Sequence, residues 1–404
     1  MLKKLRALRT NENVLIAADV LLSSKTSFMT VFLMAYMMNV SLKSSPVNFI
    51  VYNIVRYSIM GLLAVVLIPF FRKHTLVAWR LSMVFSVLEM IAVSVLDSQA
   101  WYFTYVLAFC SAAESSLYWR PKMYFDVTEV EDSRRLHFKG RATMLTEVVK
   151  IVMPVVLGAA IGSAGYTRTA SVILGICTLQ LLVSLHLHPK NKRKIKKVHS
   201  LSKVYGQLMK HGSLRKIMYI QLIRGFVTCS AAYLVISQVN LYRSTNSDLD
   251  LGIYTSLAAI IAILAVLIFH RIKRKSAQKA YLAMFLPALI LFPAALILLP
   301  HNMLLSVSMY VFMQSIVGGL FDGTVTQTRI QGILSTHLSD DSYRIEVECL
   351  GEVALTIGRL AGLVALLALI ILGQEENMMW LALFESIFII PWLALVLPKT
   401  HQYN

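Results

Sequence analysis

The sequence has little charge and few cysteines for its length, and each shortage excludes a class of protein. Only 15% of the 404 residues are charged, whereas 57% are hydrophobic, and the mean hydropathy is +0.65. An ordinary soluble domain contains about 25% charged residues, so a soluble fold could not bury this much apolar surface. The four cysteines lie in or beside apolar runs without metal-ligand or redox spacing, and we interpret them as packing residues.

The common motifs of nucleotide chemistry and hydrolysis are missing as well. The sequence contains no HExxH, no glycine-rich phosphate loop followed by Lys and no Gly-x-Ser-x-Gly elbow. We therefore expect neither an enzyme nor an ATP-driven pump, and no cofactor or bound metal. Energy for any transport would have to come from a gradient.

Apolar segments long enough to cross a hydrocarbon core of about 30 Å recur along the whole chain. They lie at residues 14–40, 47–71, 75–96, 101–119, 144–163, 169–187, 217–242, 251–270, 280–299, 304–326, 350–372 and 378–397. The predicted fold class is an all-α integral membrane protein, with twelve transmembrane helices in two six-helix bundles related by pseudo-two-fold symmetry. The predicted domains are an N-terminal bundle (1–188), a basic cytoplasmic linker (189–215) and a C-terminal bundle (216–404).

The formal net charge of +18 comes from Lys and Arg residues that lie between the apolar segments. Loops of one predicted side carry nearly all of them, and the loops of the other side carry only Lys43, Arg168 and Arg243. Positive residues favour the cytoplasmic side, so both termini are predicted to be cytoplasmic, in a plasma (inner) membrane. We interpret the basic run at 190–197 as a topology determinant, with contact to anionic lipid as the alternative. The dispersal of the basic residues over several loops argues against a nucleic-acid partner.

The two halves of the sequence repeat weakly. Residues 131–135 (EDSRR) precede the segment that contains Glu147, and residues 339–344 (SDDSYR) precede the segment that contains Glu352. Gene duplication leaves repetition of this kind. With six plus six segments, a basic central linker and both ends on one side, the chain resembles the major facilitator superfamily. The resemblance implies a transporter of small molecules that works by alternating access, and we expect a monomer.

Two short motifs resemble that family in part. The loops at 69–74 (PFFRKH) and 270–275 (HRIKRK) keep the basic residues of the family's signature loop but lack its Asp. The stretch 153–162 (MPVVLGAAIG) resembles a thinned form of the Gly-rich pattern around a Pro in the family's exporters. Pro154 and Gly158 are therefore predicted to let this helix bend, and ordinary helix packing is the alternative. Bending is also predicted at Gly318, Gly319 and Gly323.

Ionisable side chains inside the predicted spans mark the candidate site. Each costs about 2.5–3.5 kcal/mol on insertion scales unless it finds a partner or water. In the resembled fold the first, fourth, seventh and tenth spans line a central cavity. The candidates for proton coupling or substrate binding on those spans are Asp19, Lys25, Glu114, Arg224 and Asp322. Structural ion pairing is the alternative for all five.

Charged residues on the other spans are given gating or structural roles. Arg80 and Glu89 belong to a span that faces outward in the resembled fold, and a structural role is predicted for both. Helical spacing places Glu147 beside Lys150 and puts Glu352 on the same face as Arg359, and fixed pairs near helix ends are the alternative to gating. The gating candidates are Glu147, Lys150, Glu352, Arg359, Arg72 and Lys73.

These features predict a secondary active transporter that moves a small amphipathic or lipophilic molecule, coupled to protons through Asp19, Glu114 or Asp322. Export is the preferred direction, because of the Pro154 stretch and because the 19 Met side chains offer an adaptable lining. The alternatives are proton-driven uptake of a nutrient such as a sugar, lipid translocation, and a non-transporting membrane scaffold or sensor. A scaffold or sensor would need no charged residues inside the helix bundle.

Overall fold

A computed structural model of the chain is built of α-helices, with no strand in the part that it describes. That part comprises residues 2–40, 47–96, 101–130, 134–189, 201–210, 212–229, 245, 247–273, 290–291, 293–295, 297–298, 301–313, 316 and 341–373. In the first half the helices are α1 (Leu2–Val40), α2 (Val47–Val66), α3 (Ile68–Val95), α4 (Trp101–Thr128), α5 (Arg135–Ala164) and α6 (Tyr166–Ser184). In the second half they are α7 (Leu201–Lys210), α8 (Gly212–Thr228), α9 (Asp248–Lys273), α10 (Met303–Met313) and α11 (Asp341–Ile371).

Seven of the described helices are long and apolar enough to cross a membrane. The segments that meet this test are Asn11–Leu33, Val47–Val66, Lys73–Val95, His137–Ala164, Tyr166–Leu185, Asp248–Ala265 and Cys349–Ile371. All six predicted spans of the first half coincide with helices, although α4, with 28 residues, is too polar to be among the seven. In the second half the predicted span 378–397 lies outside the described residues, so the total of twelve stays a prediction.

Two predicted loops are helical instead. The basic segment 69–74 forms the start of α3, because Pro69 lies in the first turn, where its missing N–H costs no hydrogen bond. The helix is distorted only at His74, with φ −133° and ψ 42°. The predicted linker contains α7, which buries Val204 while Lys203 and Lys210 stay exposed.

The chain folds as two compact units. Unit 1 consists of Met1–Lys196 with Ser247–Ser256, and unit 2 of Lys197–Asn246 with Leu257–Asn404. In unit 1, α1 packs against α5 and α6, α3 packs against α4 and α6, and α2 packs against α4. The rings of Trp79, Tyr118 and Phe125 lie together in its core. Many large aliphatic side chains remain exposed on the helices, such as Val152 and Val156 on α5, as expected for surfaces that face lipid.

In unit 2, α8 and α11 cross at a contact built from glycine. A Cβ on Gly358 would lie 2.9 Å from the backbone nitrogen of Phe226 and closer still to the carbonyl oxygen of Leu222. A Cβ on Gly225 would meet the backbone of α11 in the same way, and Gly362 lies one turn beyond Gly358. Small residues spaced four apart let two membrane helices approach closely, and this contact has that form.

Gly358→Ala is therefore expected to lower the free energy of unfolding by about 1–3 kcal/mol, because the added methyl group pushes two backbones apart. The matched control is Gly175→Ala on α6, where a Cβ would meet nothing within 4 Å. Helix propensity alone should make that control neutral or more stable by up to about 1 kcal/mol. Denaturant titration in detergent micelles measures both values, and equal effects of the two substitutions would contradict the close crossing.

Candidate functional site

Lys25 on α1 holds two carboxylates inside unit 1. Its Nζ forms an ion pair with Oε2 of Glu89 on α3 and lies 3.2 Å from Oε2 of Glu114 on α4. The exposed fractions of the three residues are 2%, 0% and 7%, so bulk water does not screen the contacts. Lys25 lies close to the middle of the span Asn11–Leu33, and Glu114 lies at the middle of α4. We call these three residues the deep cluster.

The helix periodicity explains why these charges meet. On α1, Leu15, Ala18 and Leu22 are buried at spacings of three and four, and Lys25 continues the same stripe. On α3 the buried face carries Ser82 and Ser86, with Glu89 three residues further on. The charged side chains therefore replace apolar ones on faces that are turned inward by packing.

A second polar cluster lies nearer the N-terminal end of α1. Asp19 accepts a hydrogen bond of 2.6 Å from the hydroxyl of Tyr118 and lies 3.0 Å from Nζ of Lys122. Lys122 also donates to Asp126 at 2.7 Å, one turn along α4. Two carboxylates thus share one ammonium group here too.

A third polar cluster lies closer still to the N-terminal end of α1. The amide of Asn11 donates to Glu129 at 2.8 Å and to the carbonyl of His188 at 3.0 Å. Glu12 pairs with Arg134 at 2.9 Å, which fixes the start of α5 to the N-terminal part of α1. At a rise of 1.5 Å per residue, Asp19 lies about 12 Å and Lys25 about 21 Å beyond Asn11 along α1. Polar clusters therefore follow one another from the end of the unit to its middle.

Arg56 lies on α2, at the middle of the span Val47–Val66. Its guanidinium carbon is 5.5 Å from the centre of the Tyr57 ring, and its Nε is buried without a hydrogen-bond partner. Among the described residues no carboxylate lies within 4.0 Å of it. One turn earlier, the buried Tyr52 is hydrogen-bonded to Ser111 of α4.

The structure brings three of the five predicted site residues into these clusters. Lys25 and Glu114 are buried and Asp19 is half-buried, and all three contact partners of opposite charge or hydrogen-bonding partners. Arg224 lies half-buried on α8 in unit 2, and Asp322 lies outside the described residues, as do Gly318, Gly319 and Gly323.

Glu89 points inward from α3, and the structural role predicted for it stays a prediction. The resembled fold assigns the third span to the periphery, but Glu89 is fully buried and contacts Lys25. The sequence held a signal for this, because Ser82 and Ser86 precede it at helical spacing and mark a polar inner face. Arg80 does have the predicted structural position, since it donates to the carbonyls of Leu185 and Leu187 at the end of α6.

The predicted pairings of the gating candidates are confirmed, while gating itself stays a prediction. Lys150 contacts Glu147 at 2.6 Å on an exposed face, and Arg359 contacts Glu352 at 3.2 Å. Lys73 is exposed near the start of α3, and the side chain of Arg72 lies outside the described part.

The residues predicted to bend the fifth span lie at a helix crossing. α5 runs as one helix through Pro154, from Arg135 to Ala164. A Cβ on Gly158 would meet the backbone of Asp248, and a Cβ on Gly252 would meet the carbonyl of Pro154. Gly158 thus lies where packing against the start of α9 requires a small residue, which was the alternative interpretation.

Comparison with known proteins supports the fold. No family model matches the sequence. The uncharacterized protein YqgE of Bacillus subtilis (strain 168) is 26% identical over 257 residues, which are 62% of this chain and 57% of that protein. The crystal structure of a bacterial homologue of the iron transporter ferroportin, in an outward-facing state with soaked iron, matches with a TM-score of 0.64 and 15% identity. The match covers 97% of this chain and 99% of that one.

The chain has the fold of that structure. The prediction of an all-α membrane transporter fold is therefore supported, while the number of twelve helices and their symmetry stay predictions.

Proposed function

We propose that the protein is a secondary active transporter, which moves a small amphipathic or lipophilic molecule by alternating access and uses protons as the coupling ion. One observation carries the proposal: Lys25, Glu89 and Glu114 form a buried ion cluster, in which Lys25 and Glu89 belong to helices that are long and apolar enough to cross a membrane. Ionised groups at this depth are rare and are typical of ion and substrate pathways. The fold shared with a transporter structure supports the same conclusion.

The deep cluster can take up a proton without leaving an unpaired charge. Lys25 faces two carboxylates, so protonation of Glu114 leaves the ammonium paired with Glu89. The loss of one ion pair then frees Glu114 to change partner when the protein changes state. Asp19 and Asp126, which share Lys122, can do the same nearer the end of the unit.

A scaffold or sensor is less consistent with this arrangement. Such a protein gains nothing from burying Lys25 and Glu114, whose desolvation costs several kcal/mol per ion before pairing. A surface position would serve it equally well. We further propose a monomer in the plasma membrane with both termini in the cytoplasm, as the loop charges indicate.

Export of an amphipathic compound is the first candidate activity, and proton-driven uptake is the second. The matching structure is that of an iron transporter homologue soaked with iron. A divalent cation is therefore tested as a control substrate. Within the described residues no three His, Cys, Asp or Glu side chains are grouped so as to hold a metal ion. A metal substrate therefore has no support from this part of the chain.

Flux through proteoliposomes tests the proposal. An imposed gradient of one pH unit is worth about 1.4 kcal/mol, so coupling to one proton should give about tenfold accumulation of the substrate. Lipophilic cations, aromatic acids and Fe²⁺ are offered in separate experiments, with the gradient in either direction. Accumulation that follows the gradient supports the proposal, and its direction separates export from uptake. If the flux of every substrate is independent of the pH gradient, proton coupling is contradicted.

A further inference from the structure

Arg56 is the one described cation at mid-membrane depth in unit 1 that has no carboxylate within ion-pairing distance. Every described carboxylate near it is already engaged, Glu89 and Glu114 by Lys25 and Asp19 by Lys122. Its guanidinium lies beside the Tyr57 ring, its Nε is buried without a hydrogen-bond partner, and an Arg side chain has five N–H donors in all. A half-buried cation with an unsatisfied donor can bind an anion.

The side chain of Arg56 is turned toward the interior of unit 1. On α2 the buried positions Phe49, Asn53, Met60 and Ala64 recur at spacings of four or seven residues, one or two turns, and Arg56 falls between Asn53 and Met60 on this stripe. α2 packs against α4, whose Ser116 hydroxyl donates to the carbonyl of Met60 at 3.5 Å. Arg56 is nevertheless half-buried, so a small ligand can approach it without dismantling the helix contact.

We propose that Arg56 binds the carboxylate of an amphipathic monocarboxylate, with the aromatic rings of Tyr52 and Tyr57 against its apolar part. This inference rests on the proposed transport function and names the substrate class. A guanidinium accepts a carboxylate through two parallel hydrogen bonds, and a carboxylate is the common anionic group of that shape with a single charge. Tyrosine rings supply apolar contact area and a hydroxyl group, which suits an aromatic or aliphatic acid.

The charge balance limits the ligand to one negative charge and links it to a proton. Lys25 and Arg56 carry two positive charges, and Glu89 and Glu114 carry two negative ones, so the four groups sum to zero. An anion beside Arg56 makes the sum −1, and a proton on Glu89 or Glu114 restores neutrality. The other titratable groups around Arg56 and this cluster in the described part of the chain include Asp19 on α1, Tyr52 and Tyr57 on α2, Cys110 and Tyr118 on α4, and Tyr166 and Cys177 on α6. We therefore expect the acid anion and one proton to bind together and to move in the same direction, which for this substrate class favours the second candidate activity, proton-driven uptake, over export.

Benzoate binding to the purified full chain in detergent tests the inference. Calorimetry at pH 6 to 7 should detect benzoate, while the neutral isostere benzamide and the cation benzylammonium should bind at least about tenfold more weakly, because charged hydrogen bonds dominate recognition. Arg56→Gln should weaken benzoate about tenfold or more, and Arg56→Lys should lose less. The matched control is Arg120→Gln, since Arg120 also lies beside a ring, Phe71 at 5.4 Å, but donates to the carbonyl of Ser116.

Proton uptake gives a readout that a merely structural arginine would not change. In weakly buffered solution, benzoate should bind with uptake of about one proton, and Glu114→Gln should reduce that uptake. Three results would overturn the inference. They are equal affinities for benzamide and benzoate, undiminished benzoate binding by the Arg56→Gln variant, and no benzoate binding at all. If benzoate fails to bind while another substrate still follows a pH gradient in proteoliposomes, the proposed function stands without it. If benzoate binds but nothing is transported, the proposed function fails instead.

Discussion

Lys25→Met is expected to lower the free energy of unfolding by about 3–5 kcal/mol, because it leaves two buried carboxylates without their cation. Lys25 is 2% exposed, and it is the cation to which both Glu89 and Glu114 are ion-paired. Methionine matches the length of the alkyl stem, so the loss reflects the charge rather than a cavity. Unfolding by denaturant in detergent micelles measures the change.

The same substitution on an exposed pair is the control for Lys25→Met. Lys150 contacts Glu147 at 2.6 Å, but its side chain is 54% exposed, and Lys150→Met should change stability by no more than about 1 kcal/mol. Adding Glu89→Gln and Glu114→Gln to Lys25→Met should recover most of the loss, since no buried charge is then left unpaired. A loss that persists in the triple variant would mean that packing, and not charge, makes Lys25 important.

Glu114→Gln is expected to abolish accumulation driven by a pH gradient while leaving the protein folded. Glutamine keeps the shape of the side chain, and Lys25 keeps its ion pair with Glu89, so stability should change little. A glutamine cannot carry the proton, however, and the roughly tenfold accumulation expected per proton at one pH unit should disappear. Exchange of substrate in the absence of a gradient should continue, because it requires no net proton movement. Counterflow and gradient-driven uptake in the same proteoliposomes separate the two activities.

Glu147→Gln is the matched control for Glu114→Gln, because Glu147 is a carboxylate of the same length paired with a lysine on an exposed face of α5. It should keep accumulation within about a factor of two, since exposed pairs contribute little. If Glu114→Gln accumulates substrate as the wild type does, the deep cluster is structural and the proton travels elsewhere.

The helices of unit 1 could be predicted from hydropathy because lipid imposes a simple rule. A chain in hydrocarbon must satisfy its backbone hydrogen bonds internally, so each apolar run becomes a helix, as α1 to α6 do. Helical spacing was also sufficient to predict the ion pairs of Glu147 with Lys150 and of Glu352 with Arg359, because both residues of each pair lie on the same helix. Neither inference needs any knowledge of which helix lies beside which.

The pairing of Lys25 with Glu89 could not be predicted in this way. Partners on different helices depend on the rotation of each helix, and a rule taken from a whole family assigned the third span to the outside. Local polarity was the better guide, since Ser82 and Ser86 share a face with Glu89. Arg56 was not among the candidates for a related reason, because only the first, fourth, seventh and tenth spans of the resembled fold were taken to line the cavity. Helix α7 was missed because its basic composition is also that of a solvated linker.

The most direct test of the central claim, that the deep cluster belongs to a transport pathway open to each side in turn, is chemical labelling at Ser111. This buried residue lies one turn before Glu114, and the four native cysteines, all buried and free, can be replaced to give a background without thiols. In that background Ser111→Cys should react with a membrane-impermeant thiol reagent from both sides of the membrane, at rates that shift in opposite directions when pH or substrate changes. No labelling from either side under any condition would mean that the cluster is a sealed structural ion pair.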